Sequence, residues 1–107
     1  MSLDITLTAV RHTSIWDGNI THNLTIMADE VDLYTPIWRP SELGIERAEQ
    51  LIPFLETGYS NLVRDKDRLE KYNPANGWGS YETLLEFTRE YLEMCKNNPD
   101  AIIEACP

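Results

Sequence analysis

Ser2-Leu3-Asp4-Ile5-Thr6-Leu7-Thr8-Ala9-Val10 alternates apolar Leu3, Ile5, Leu7 and Ala9 with polar Asp4, Thr6 and Thr8, the period-two signature of a strand with one buried face. Val10 breaks the alternation and marks the expected end of the strand. A lone strand leaves its backbone donors and acceptors unmet, so a pairing partner must exist elsewhere in the chain. The other strand candidate is residues 101–105, where Ile102-Ile103 follows the breaker sequence Asn97-Asn98-Pro99. The two segments are expected to be neighbours in one small two-stranded sheet.

Between them the period changes to that of helices. Ile20, Leu24, Met27 and Val31 fall on one stripe at i, i+4, i+7 and i+11, which predicts an amphipathic helix with Asn19 as N-cap after an Asp17-Gly18 turn. It should stop before Pro36, because the residue preceding proline is driven out of the α region. Pro36-Ile37-Trp38-Arg39-Pro40 reads as a Pro-bounded connector. Ile45, Ala48, Ile52, Leu55, Tyr59 and Leu62 keep one apolar face in phase across Pro53, which favours one kinked helix over two. The mixed-charge run Arg64-Asp65-Lys66-Asp67-Arg68 reads as a solvated helix end. Asn73-Pro74-Ala75-Asn76-Gly77-Trp78-Gly79 is a loop. Ser80 then caps a last helix with Tyr81, Leu84, Leu85, Thr88, Tyr91, Leu92 and Cys95 on its apolar face. The predicted fold is α+β in the order β-α-α-α-β, with about three helices packed on a two-stranded sheet.

A chain of 107 residues, 42% hydrophobic and 25% charged, suits a single globular domain over residues 1–107. Nine Lys and Arg against 18 Asp and Glu leave a net charge of −9. That balance repels nucleic-acid phosphates and anionic membranes, so neither is an expected partner. The chain shows no apolar run of membrane-spanning length and no signal-like opening, which gives a cytoplasmic expectation. Cys95 and Cys106 stand at no metal-ligand spacing and are read as reduced thiols in that compartment.

Chemistry-bearing motifs are sparse. His12 and His22 have no HxxxH or HExxH partner, and His12 is read as structural. Cys95 falls at a helix C-terminus, where the dipole disfavours a thiolate. GxSxG, P-loop and GxGxxG patterns are absent, so no catalytic residue, metal or cofactor is assigned. The tryptophans carry more information, because Trp16, Trp38 and Trp78 all lie outside the helical stripes. Such residues either plug the core edge or form a recognition surface. The second alternative groups Trp38 and Trp78 with Asn19, His22, Asn23, Arg39 and Tyr81 in an aromatic and polar patch. His22 has the corresponding alternatives of a hydrogen-bonded residue at a helix start or a site residue.

Asn19-Ile20-Thr21-His22-Asn23-Leu24 with Met27-Ala28, Leu33-Tyr34 with Trp38-Arg39-Pro40, Asn76-Gly77-Trp78-Gly79-Ser80-Tyr81, and Cys95 with Pro99-Asp100-Ala101 span nearly the whole chain. Together they resemble a small family of uncharacterised phage and bacterial proteins of about this length. The resemblance implies an origin, with the host cytoplasm as the setting if the chain is phage-encoded, and brings no activity, cofactor or catalytic residue with it. The ending Cys106-Pro107 departs from that pattern, which has a polar residue there. Two functional readings follow: a non-enzymatic interaction protein that binds a host or viral protein through the patch, or a small polar-ligand binder or enzyme built on His22 and the neighbouring Asn, Arg and Trp residues.

Overall fold

In a computed structural model, which describes residues 1–9 and 14–107, Leu3, Ile5 and Leu7 have no exposed surface while Asp4 between them faces solvent. They belong to β1 (Ser2–Thr8), the central strand of an antiparallel sheet in which β2 (Ser14–Thr21) and β3 (Ile102–Cys106) are its two neighbours. Asp4 stands opposite Cys106 and Thr8 opposite Ile102, so the two distant segments do pair. Val10 and His12 lie outside the described residues.

The two-stranded expectation is corrected by β2. Asp17-Gly18 is not a turn and Asn19 is not a helix cap; both segments lie within a strand whose Trp16, Gly18 and Ile20 stand opposite Leu7, Ile5 and Leu3. Glycine weakens a strand unless another group fills its place. Here a β-carbon on Gly18 would fall inside the ring of Trp16, two residues back on the same face. The indole covers the glycine and restores the packing a side chain would have given. Ile20 is apolar because it points inward from the sheet, and its helical spacing to Leu24 is incidental.

A 3-10 turn (His22–Leu24) leads into α1 (Thr25–Glu30). It ends where Asp32 adopts a left-handed φ of 59° and the Leu33 N–H reaches back to the Ala28 carbonyl at 2.9 Å. α1 stops before Pro36 as expected, but Pro36, read as the start of a connector, lies inside a second short helix, α2 (Tyr34–Trp38). In a first turn the missing N–H had no intrahelical partner to lose. After a second 3-10 turn (Pro40–Leu43), α3 (Ala48–Arg64) runs unbroken through Pro53. Then come α4 (Lys66–Leu69), a third 3-10 turn (Glu70–Tyr72) and α5 (Tyr81–Asn97). Ser80 caps α5 as expected, and Thr83 returns a bond to the Ser80 N–H, so that the two exchange backbone-to-hydroxyl bonds. The fold is α+β with three strands and five helices among the described residues, against the expected two and about three.

The core joins the inner face of the sheet to α3 and α5. Tyr81, Leu84, Phe87, Thr88, Tyr91, Leu92 and Cys95 form the buried face of α5. The first turn of α3 is closed by the chain that leads into β3: the N–H groups of Ala48 and Glu49 donate to the carbonyls of Ala101 and Pro99, each at 2.9 Å. Those are the orphan donors of a helix start, so the C-terminal segment serves as the cap. Gly58, midway along α3, is buried against Leu33, whose side chain occupies the space a β-carbon would need.

A mid-helix Gly→Ala change ordinarily gains about 1 kcal/mol. Gly58→Ala is expected to lose about 1–3 kcal/mol instead, the usual cost of overpacking. Urea denaturation should show a lower midpoint at unchanged slope; a raised midpoint would contradict the Leu33 contact.

Candidate functional site

The loop between the third 3-10 turn and α5 is organised by its own polar side chains. Asn76 Oδ1 accepts from the Trp78 N–H at 2.9 Å, Asn73 Oδ1 accepts from the Tyr81 N–H at 2.7 Å, and the Gly77 N–H donates to the Pro74 carbonyl at 3.2 Å. Gly77 and Gly79 take φ values of 75° and 95°, a region where only glycine is unstrained. The result is a fixed bend with Trp78 at its apex, 69% exposed. The loop also seats on the end of β2: a β-carbon on Gly79 would come within 2.8 Å of Thr21 Cγ2. Trp78, Asn19, Thr21 and Thr83 line an open groove of about 470 Å³ between this loop, β2 and the first turn of α5.

Asn19 reaches that groove from β2, while its amide nitrogen donates to Ser2 Oγ at 2.8 Å and Asp4 Oδ1 at 2.7 Å across the outer face of the sheet. Asn23 is exposed, and its backbone N–H donates to Thr21 Oγ1 at 3.3 Å, which closes the 3-10 turn. Tyr81 is buried, its hydroxyl donating to the Leu62 carbonyl at 2.6 Å and so tying α5 to α3. Trp38 is buried too, stacked on Tyr34 with ring centres 5.8 Å apart. Arg39 beside it donates to the Tyr34 hydroxyl and lies 3.7 Å from Glu42. Trp38 and Arg39 border a smaller groove of about 210 Å³. His22 lines a third, of about 520 Å³, with Thr25, Ile26, Asp29 and Tyr34.

The seven residues singled out by sequence are thus distributed. Asn19 meets Trp78, Trp38 adjoins Arg39, His22 lies with neither pair, and Trp38 and Tyr81 fill the core. Trp16 also packs inward, stacked on Tyr91 at 5.3 Å with its indole N–H donating to Glu90. Thr83 joins the groove without having been anticipated, since its place depends on β2, which the sequence concealed. The flanking Gly77 and Gly79 were the available sign that Trp78, of the three tryptophans, stands out from the surface.

The two thiols lie in opposite environments. Cys95 and Cys106 are both free, Cys95 buried and Cys106 exposed. Burial pushes the Cys95 thiol up to about 12, so it is protonated at neutral pH. Among the described residues, no group of three or more His, Cys, Asp or Glu side chains is placed to hold a metal ion, and no helix is long and apolar enough to cross a membrane. Comparison with protein-family models, with curated proteins and with solved structures finds no match.

Burial also raises the Tyr91 hydroxyl well above its ordinary value. A group whose pKa is higher in the folded state holds its proton there after the unfolded chain has released it. Its stabilisation is complete below the unfolded value and fades as pH rises through the folded one. For Cys95 that window opens near 9.0 and closes near 12. The urea midpoint should therefore fall as pH rises from about 9 towards about 12, and Cys95→Ala should flatten part of the fall. Iodoacetamide at pH 8 should modify Cys106 alone until denaturant is added; equal labelling of both thiols in the native protein would contradict the burial of Cys95.

Proposed function

We propose that this protein is a non-enzymatic interaction module that binds a protein partner through the groove of Trp78 and Asn19; in the phage setting suggested by its resemblance, that partner is a host or viral protein. The observation that carries the reading is the exposure of Trp78 on a loop whose conformation is set by Asn73, Asn76 and two left-handed glycines. An indole left in water forfeits the burial that makes tryptophan useful to a core. A loop that holds one rigidly outward has already met the ordering cost that a binding surface otherwise bears. Tryptophan is also the residue type most enriched among binding hot spots. The net charge of −9 adds a preference for cationic partners.

A second reading is favoured by one specific feature. Nε2 of His22 is buried without a hydrogen-bond partner among the described residues, at the edge of the groove shared with Thr25, Asp29 and Tyr34. Such an atom is costly to leave unpaired, and a small polar ligand that supplied the missing partner would be held there. Arg39 and Trp38 lie in a different groove, so such a site would rest on His22, Asp29 and Tyr34.

Trp78→Ala is expected to leave the melting temperature unchanged within error, since the side chain is 69% exposed and surface changes are worth less than about 0.5 kcal/mol. The same change should cost about 2 kcal/mol or more in affinity for peptides selected on the wild type from a library of random linear sequences. If selection yields only peptides that bind the variant equally well, the Trp78 groove is not the recognition surface. Ligand-observed NMR of a polar fragment set, with His22→Ala as control, tests the second reading.

A further inference from the structure

The groove borders a sheet edge whose backbone groups can be assigned from the register. The His22 N–H donates to the carbonyl of Met1, and these two residues continue the β1–β2 pairing in which Ser2 stands opposite Thr21. In an antiparallel ladder, directly opposed residues that are hydrogen-bonded alternate with those that are not. The pairs Leu3 with Ile20, Ile5 with Gly18 and Leu7 with Trp16 are therefore the bonded ones. Asp17 and Asn19 turn their N–H and C=O groups away from β1. The far side of the sheet obeys the same phase: Ile103, opposite Leu7, sends its N–H outward to the Glu46 carbonyl at 2.9 Å. Whereas β3 has that partner on its outer side, β2 is bonded on one side among the described residues.

Edge strands are usually protected by charged residues, lysine above all, by a proline, a bulge or a covering segment. β2 contains neither lysine nor proline, its register shifts only at the Ser14 end, and its one charged residue is acidic. The surface beside the groove also carries more acid than base. Asp4, Asp17 and Glu90 have no ion-pair partner among the described residues, while Glu82 and Glu86 are countered by Lys66 at 3.9 Å and Arg89 at 3.0 Å. Glu90, one turn beyond Glu86 on the same face of α5, is tied to Trp16 of β2. At the end of this acidic edge stands the exposed face of Trp78, and aromatic faces attract cations.

We infer that the partner supplies an extended segment bearing Lys or Arg, which adds to the sheet as a fourth strand beside β2. Its main chain bonds to Asp17 and Asn19, and one of its cationic side chains lies over Trp78. This inference rests on the reading of the Trp78 groove as a recognition surface and names its occupant. A second copy of the chain fits poorly, because edge-to-edge pairing of two β2 strands would bring together two molecules of charge −9 with Asp17 of each at the seam.

The test uses peptides selected on the full chain from a random linear library, resynthesised with capped ends, together with copies N-methylated at alternate residues. The expected result is enrichment of Lys or Arg alternating with β-branched residues, slowed hydrogen exchange at the Asp17 and Asn19 amides on binding, and about tenfold or greater loss of affinity when the bonding edge of the peptide is N-methylated. Asn19→Pro, which removes an outward N–H and no main-chain bond to β1, should abolish binding, whereas Asn19→Ala, which loses the same side-chain bonds to Ser2 and Asp4, should keep the main-chain contribution; the N-methylated peptides give the same information if the proline variant does not fold. Trp78-dependent binders that leave both amides unprotected, that tolerate N-methylation in either phase, or that lack basic residues would overturn the strand-addition inference while leaving the Trp78 surface in place. Absence of Trp78 dependence would remove the surface itself. A wild-type dimer in sedimentation that Asn19→Pro dissociates would assign the edge to self-association and overturn the inference.

Discussion

β1 is bonded along both of its edges, and the placement of the other elements follows from that condition. Its inner residues Leu3, Ile5 and Leu7 have no exposed surface, which demands a layer of helix above them. Its backbone groups, in a buried environment, demand a strand on each side. The hairpin partner β2 supplies one and β3, from the far end of the chain, supplies the other. Once β3 is in place, the carbonyls of Pro99 and Ala101 just ahead of it meet the first turn of α3. The orientation of α3 is thus coupled to the central strand through main-chain hydrogen bonds as well as through packing.

The parts of this arrangement that were legible in advance are those in which a local pattern and the tertiary environment agree. The alternation in β1, the pairing of residues 102–106 with it, the Ser80 cap and the continuous stripe across Pro53 are all of this kind. β2 was hidden because its decisive fact is a contact and not a pattern. Asp17-Gly18 reads as a turn until the Trp16 ring is seen lying over Gly18. The spacing of Ile20 from Leu24 and Met27 then started the helix too early, since an inward residue at a strand end and the first inward residues of a helix can share phase. Pro36 misled for a related reason, because its cost depends on its position within a helix and that position is set by the turn at Asp32.

The candidate site divides along the same line. The glycines beside Trp78 were visible as residues needing special backbone geometry, and they do present the indole to solvent. Trp38, flanked by Pro36 and Pro40, carried an equally suggestive local context and is buried against Tyr34. The glycines beside Trp78 are the one local difference between the two contexts, and the outcome is decided by whether the adjoining segment lies over the core. The aromatic residues consequently serve two ends, with Trp16, Phe87 and Tyr91 packed on one another beneath the sheet and Trp78 outside it.

The capping of α3 by residues 99 and 101 has a consequence for how the chain is made. A helix start that takes its hydrogen-bond acceptors from about fifty residues downstream is incomplete until that segment has been made. The same is true of β1, one side of which stays unpaired until residues 102–106 have left the ribosome. On the ribosome the nascent chain therefore holds an open strand of Leu, Ile and Leu beside a frayed helix, the kind of surface that chaperones shield. Closure waits for residues 99–106, and that single event completes the sheet and the start of α3 together.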